Sequence, residues 1–228
     1  MDRRKVNIDE LSDDELENFL AQDHRGVAPT KHQLEGGAPR AFSLLMILVG
    51  VCGVFASVEL LRAEKQLLLD SSTPLTCDIN PLIGCSTFLG SPQNELFFGT
   101  SNAVFGLAFF TGIFTLGMVL VSGGKMGRWL WLGLDGLMIL ATAWLVWFQW
   151  TSITVERALC PYCLLVWTAT IPLIINTWAR SAQAGHMRLP GRYADLLLRG
   201  RWYIVAAVYS MLIAIIIVAF WDTWPLVF

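Results

Sequence analysis

Apolar residues in this chain are gathered into long blocks and show no helix- or strand-period alternation with polar ones. Five blocks stand out: Ala41–Leu61, Asn102–Ser122, Trp129–Trp150, Cys160–Trp178 and Trp202–Trp221. A helix that crosses a bilayer needs about 20 mostly apolar residues, and each block is close to that length. Gly and Pro occur within them, which bilayer helices tolerate. The pattern predicts an all-α membrane protein with five spans. The first block begins behind about 40 polar residues, and no small-residue cleavage site follows it, so it reads as a retained span and not a cleaved signal.

The segments between the blocks differ in character. Residues 1–40 read as a polar, partly disordered, solubilising tail. Within it, Ser12-Asp13-Asp14-Glu15 forms a capping box, flanked by Leu11 and Leu16 as a hydrophobic staple, and predicts a short helix near 12–22. Residues 62–101 are longer than ordinary connections and too apolar for disorder, with Leu67-Leu68-Leu69, Leu82-Ile83, Phe88-Leu89 and Leu96-Phe97-Phe98. They predict an ordered cap over one mouth of the bundle, with a short helix after Cys85. Residues 179–201 read as a basic loop, and 202–228 as the fifth span with its tail.

The chain has 228 residues, 55% of them hydrophobic and only 15% charged, too few charges to cover a soluble domain of this size. Lys and Arg are unevenly placed. Residues 1–40, 123–128 and 179–201 carry six, two and five, against two, one and none in 62–101, 151–159 and the final tail. The excess marks the cytoplasmic side, which places the N-terminus inside and the C-terminus and the 62–101 cap outside. His24, His32 and His186 fall on the inner side. A net charge of −2 gives no reason to expect a nucleic-acid partner. Glu59 and Asp135 lie within spans, where charge is costly. Glu59 is near enough to an end to reach water, Asp135 is deep enough to pair with another helix, and both read as structural.

The candidate chemistry lies in the cysteines. Cys52, inside the first span, reads as a small buried hydrophobe. Cys77, Cys85, Cys160 and Cys163 all fall on the outer side, where disulfides persist. Cys160-Pro161-Tyr162-Cys163 opens the fourth span. Pro suits the first helical turn, the exposed N–H groups there favour a thiolate, and spacing of three brings both sulfurs to one face. Two redox-active pairs at a bilayer edge can relay electrons by thiol–disulfide exchange. Two structural disulfides stapling the cap are the alternative. A zinc site is disfavoured because Cys77 and Cys85 are too far apart in sequence, and a soluble thioredoxin motif lacks its βαβ context.

These residues resemble the bacterial form of the vitamin K epoxide reductase family over roughly 41–178. The pattern is a cysteine pair after span one (Cys77, Cys85), a Ser or Thr six residues past the second cysteine (Ser91), and CxxC at the start of span four (Cys160, Cys163). Asn102-Ala103-Val104-Phe105-Gly106 is similar to the family segment whose Asn hydrogen-bonds a quinone. Phe105 and Phe109 fall at pocket aromatics, and Trp167 stands where vertebrate members often have Tyr, so a hydroxyl donor is missing there.

The resemblance implies a four-helix catalytic bundle over 41–178, with the fifth helix outside it. It further implies a thiol:quinone oxidoreductase of the bacterial inner membrane that supports disulfide formation in envelope proteins. No fused thioredoxin-like domain is expected, so the implied partner is a separate extracytoplasmic thioredoxin-fold protein. Cys77 would receive electrons from it, Cys85 would pass them to Cys160, and Cys163 would reduce menaquinone or ubiquinone. Asn102, Phe88, Leu89, Phe105, Phe109 and Trp167 would form the quinone site, Ser91 would orient the cap helix or help move a proton, and no metal is required. Alternatives are a vitamin K epoxide or quinone reductase running on partner thiols, and a non-enzymatic membrane protein with two structural disulfides. The unrelated four-span quinone-linked oxidases carry their CxxC in the first outer loop, unlike this chain.

Overall fold

Backbone polar groups in hydrocarbon must be satisfied within the segment that carries them, and the apolar blocks do so as helices. The computed structural model describes residues 29–70, 74–80, 82–95, 99–187 and 191–223. Its helices are α1 (Lys31–Leu34), α2 (Arg40–Leu69), α3 (Ser86–Leu89), α4 (Asn102–Val121), α5 (Arg128–Thr151), α6 (Pro161–Gln183) and α7 (Gly191–Ala219). A 3-10 turn covers Pro92–Glu95, and a π-turn, Ser152–Glu156, extends α5. Among the described residues, five helices are long and apolar enough to cross a membrane and no strand forms. Large side chains such as Leu48, Leu140, Tyr203 and Val218 face outward, which suits hydrocarbon and not water. The protein is an all-α, multi-pass membrane protein.

Helices α2, α4, α5 and α6 surround one core of Met46, Phe110, Ile113, Trp131, Met138 and Leu173. Without a hydrophobic drive inside a bilayer, small residues that allow close approach hold helices together. At Gly53 an added Cβ would lie 2.0 Å from the Phe110 ring of α4. Gly53→Val is therefore expected to separate α2 from α4, costing about 3 kcal/mol; the unfolding midpoint in mild detergent reads this directly. In α7 only 6% of its apolar window is buried, against 56% in α6, so it lies at the periphery against α6.

Two elements differ from the sequence expectation. Helix α2 runs about two turns past its apolar block, to Leu69, because Arg62, Glu64, Lys65 and Gln66 are good helix formers. The segment 179–201 is mostly helical: α6 continues to Gln183 and α7 begins at Gly191. Arg180, counted there as a loop charge, is a buried α6 residue. The expected helix near 12–22 lies outside the described residues.

Residues 29–39, assigned by composition to the polar tail, close the end of the bundle away from the cysteines. Thr30 and Gln33 form a reciprocal capping box on α1. Arg180 Nη2 donates to the carbonyls of Gln33 and Gly37 at 3.1 and 2.6 Å, and its guanidinium lies 3.5 Å from the Trp131 ring centroid. Trp131 Nε1 donates to Gly36 O. Gly36 takes φ +98°, and a Cβ there would meet Met126 O. Burial, with Arg180 and Arg128 nearby, lowers the His186 pKa, so a neutral ring faces the Arg180 guanidinium at 3.0 Å. Asp135 is buried in α5 facing Arg180 and Ser181 of α6, and Glu59 pairs with Arg62 one turn along α2.

Candidate redox site

The site begins with a sharp fold in the cap. Asn80 Oδ1 accepts from the N–H groups of Leu82 and Ile83, at 2.9 and 2.8 Å, the local bond that makes Asn a turn residue. Asp78 Oδ1 accepts from Cys85 N and Ser86 N at 2.7 and 3.1 Å. It thereby satisfies N–H groups at the start of α3. Burial acts to raise the Asp78 carboxyl, but the hydrogen bonds from Ser86 and Cys85 outweigh it and hold it below the ordinary 3.8.

A depressed carboxyl pKa means that this contribution is complete above the ordinary value and lost as pH falls through the depressed one. Measured against a small model disulfide at the same pH, reduction of the cap disulfide by a phosphine, which acts in acid, is expected to accelerate only as pH falls below 3.8 in the native protein. In Asp78→Asn that ratio should be severalfold higher at neutral pH and flat with pH. Equal rates at neutral pH would show that the carboxylate does not hold the cap.

The cap is then zipped to the approach of α6. Arg157 takes a left-handed φ of 55° after the π-turn and turns the chain back toward α6, with Ser152 Oγ donating to Ala158 O. Ile83 and Leu159 form a parallel bridge, with Leu159 N donating to Leu82 O at 2.8 Å and Gly84 N to Leu159 O at 3.0 Å. Cys160 follows Leu159 directly, and Cys85 follows Gly84, whose N–H closes the bridge. Backbone pairing thus sets Cys85 opposite Cys160, and their sulfurs are 3.8 Å apart.

Cys77 and Cys85 are joined in a disulfide, while Cys160 and Cys163, which the relay reading pairs in their oxidised state, are free thiols. Cys160 is the N-cap of α6, Pro161 its first residue and Cys163 its third. A spacing of three brings both side chains to one face of the helix start, within reach of each other, so the thiols can bridge. Cys77, Cys85 and Cys160 form one buried cluster with Phe88, against which Cys163 packs.

Below this cluster is a cavity of about 690 Å³, walled by α2, α3, α4, α5 and α6. Cys163 lines it, as do Phe88, Leu89, Asn102, Phe105, Phe109 and Trp167, every residue the sequence assigned to a quinone site. Asn102 Nδ2 donates to Gln93 O at 2.6 Å, while its Oδ1 is buried with no partner. Ser91 lies off the cavity; its hydroxyl donates to Phe88 O at 2.9 Å, at the end of α3. Cys52 is a half-buried free thiol within α2. Sequence reasoning missed the α5 wall of Trp144, Trp147 and Phe148, of which Phe148 stacks on Phe88 at 5.9 Å. Their spacing of three and four was the available signal. No group of three or more His, Cys, Asp or Glu that could hold a metal occurs among the described residues.

A membrane helix bundle with a disulfide set against a helix-start thiol, above an apolar cavity, belongs to the class of membrane oxidoreductases. The model of the Vitamin K epoxide reductase family matches residues 44–178, more than half of the 228, and the chain belongs to that family. No curated protein matches the chain. Family membership gives the function its general kind, a membrane thiol–disulfide and quinone oxidoreductase.

Proposed function

We propose that the protein reoxidises an extracytoplasmic thioredoxin-fold partner and delivers the electrons to a lipid quinone in the cavity. The observation that carries this reading is the 3.8 Å approach of Cys85 Sγ to Cys160 Sγ, with Cys163 of the same CxxC lining the cavity. A partner thiolate attacks the cap disulfide at Cys77, which keeps 5% exposure where Cys85 keeps none. A mixed disulfide forms and Cys85 leaves as a thiolate; the partner's second thiol then releases Cys77 and the oxidised partner. Cys85 attacks Cys160 of a Cys160–Cys163 disulfide, Cys163 leaves, and Cys77 resolves the bond to restore the cap disulfide. Cys160 and Cys163 are then a dithiol, the state of this structure. They return to a disulfide as two electrons and two protons pass to the quinone, giving the quinol.

The cavity fits such a ring. Its walls are aromatic and aliphatic, and Asn102 can offer a second Nδ2 hydrogen to a carbonyl and Oδ1 to the quinol hydroxyl. Stabilising charge as it develops on the carbonyl oxygen is the larger contribution. Ser91 holds the end of α3, which supports the orienting role over proton transfer. The excess of Lys and Arg at the opposite end supports placing the cysteine end outside the bacterial inner membrane. The test is turnover of purified protein in lipid nanodiscs, with dithiothreitol as donor and ubiquinone-1, menadione or vitamin K epoxide as acceptor. Quinone loss faster than epoxide loss supports the reading; epoxide preference assigns the protein to epoxide reduction, and no turnover refutes both.

A further inference from the structure

Threonine hydroxyls in bilayer helices ordinarily donate to the carbonyl one turn back. Thr115, Thr142, Thr151, Thr154, Thr168 and Thr177 all do so here, at 2.7 to 3.1 Å. Thr170 does not. It is 2% exposed, its Oγ1 is buried with no partner, and it lines the cavity. A buried hydroxyl without a partner is costly unless something in the cavity supplies an acceptor.

We infer that Thr170 donates to the inner carbonyl of a para-quinone ring whose outer carbonyl is held by Asn102, which restricts the cavity to acceptors with carbonyls at opposite ends. The inference rests on the quinone reading above and adds the ligand's geometry. Cys163 and Thr170 lie two turns apart on one face of α6, about 10.5 Å along the axis. Asn102 opens α4 at the end where Cys163 opens α6. Two para carbonyl oxygens about 5 Å apart, each taking a hydrogen bond of about 2.8 Å, require donors about 11 Å apart. Trp167, one turn above Thr170, lines the same cavity but carries no hydroxyl. Thr170 places a hydroxyl one turn deeper.

Thr170→Val and Thr170→Ser in the full chain, in nanodiscs with dithiothreitol as donor, test this against a para-quinone (menadione) and an ortho-quinone of similar size. Thr170→Val is expected to raise KM for the para-quinone roughly five- to tenfold, to change kcat less, and to leave KM for the ortho-quinone unmoved. Thr170→Ser should bring KM back to within about twofold, since it keeps the donor. The unfolding midpoint of quinone-free Thr170→Val should equal or exceed that of the native protein, because the lost hydroxyl has no partner to lose. An unchanged para-quinone KM in Thr170→Val, an equal rise for both quinones, or failure of Ser to rescue would overturn the inference and leave the redox reading standing. A native protein that reduces no quinone would remove both.

Discussion

Cys163→Ala is expected to abolish quinone reduction, by a factor of at least about 10³, while the protein still folds and inserts. Of Cys77, Cys85, Cys160 and Cys163, only Cys163 lines the cavity. Without it, Cys160 has no neighbour on α6 with which to form a disulfide, and two electrons have no sulfur pair to leave. The substitution removes one sulfur atom from a half-buried site, a loss of about 1 kcal/mol, within the margin of an ordinary domain. Quinone absorbance during turnover, with circular dichroism as the fold control, reads the result. Normal turnover in this variant would remove Cys163 from the electron route.

Cys85→Ala should divide the reaction in two. Cys77 is then left as a lone thiol and can capture an oxidised thioredoxin-fold partner as a mixed disulfide that no neighbouring cap sulfur can resolve. Steady-state turnover with the partner should fall below detection. One equivalent of quinone should still be reduced by Cys160 and Cys163 if they start as thiols, as they stand in this structure. The cap keeps its backbone pairing to Leu159 and the Asp78 bond to Ser86, so it stays over the cavity. Non-reducing electrophoresis of envelope extracts shows the adduct, and its loss in the Cys77→Ala, Cys85→Ala double variant assigns it to Cys77.

The five spans were legible in the sequence because a bilayer demands unbroken apolar length, and so were the cap helix after Cys85 and part of the cavity lining, namely Phe88, Leu89, Asn102, Phe105, Phe109 and Trp167. What was hidden depends on contacts that composition does not mark. Ile83 and Leu159 are ordinary aliphatics, yet their bridge is what brings Cys85 to Cys160. Trp144, Trp147 and Phe148 share a face by their spacing, but apolar residues also cover the other faces of that helix, so spacing alone did not single out the cavity side. Arg180 raised the loop charge count while in fact anchoring residues 33–37 by two carbonyl bonds. Thr170 looks like its neighbours in sequence and differs in that its buried hydroxyl makes no hydrogen bond.

The electron route is tested most directly by an anaerobic single turnover. Fully reduced protein is mixed with one equivalent of menadione, quenched with a thiol-alkylating reagent, and mapped by mass spectrometry for each cysteine. One Cys160–Cys163 disulfide should appear for each quinone consumed, before any Cys77–Cys85 disulfide forms. Quinone loss with Cys160 and Cys163 still alkylated as thiols, or with Cys77–Cys85 forming first, would contradict the relay.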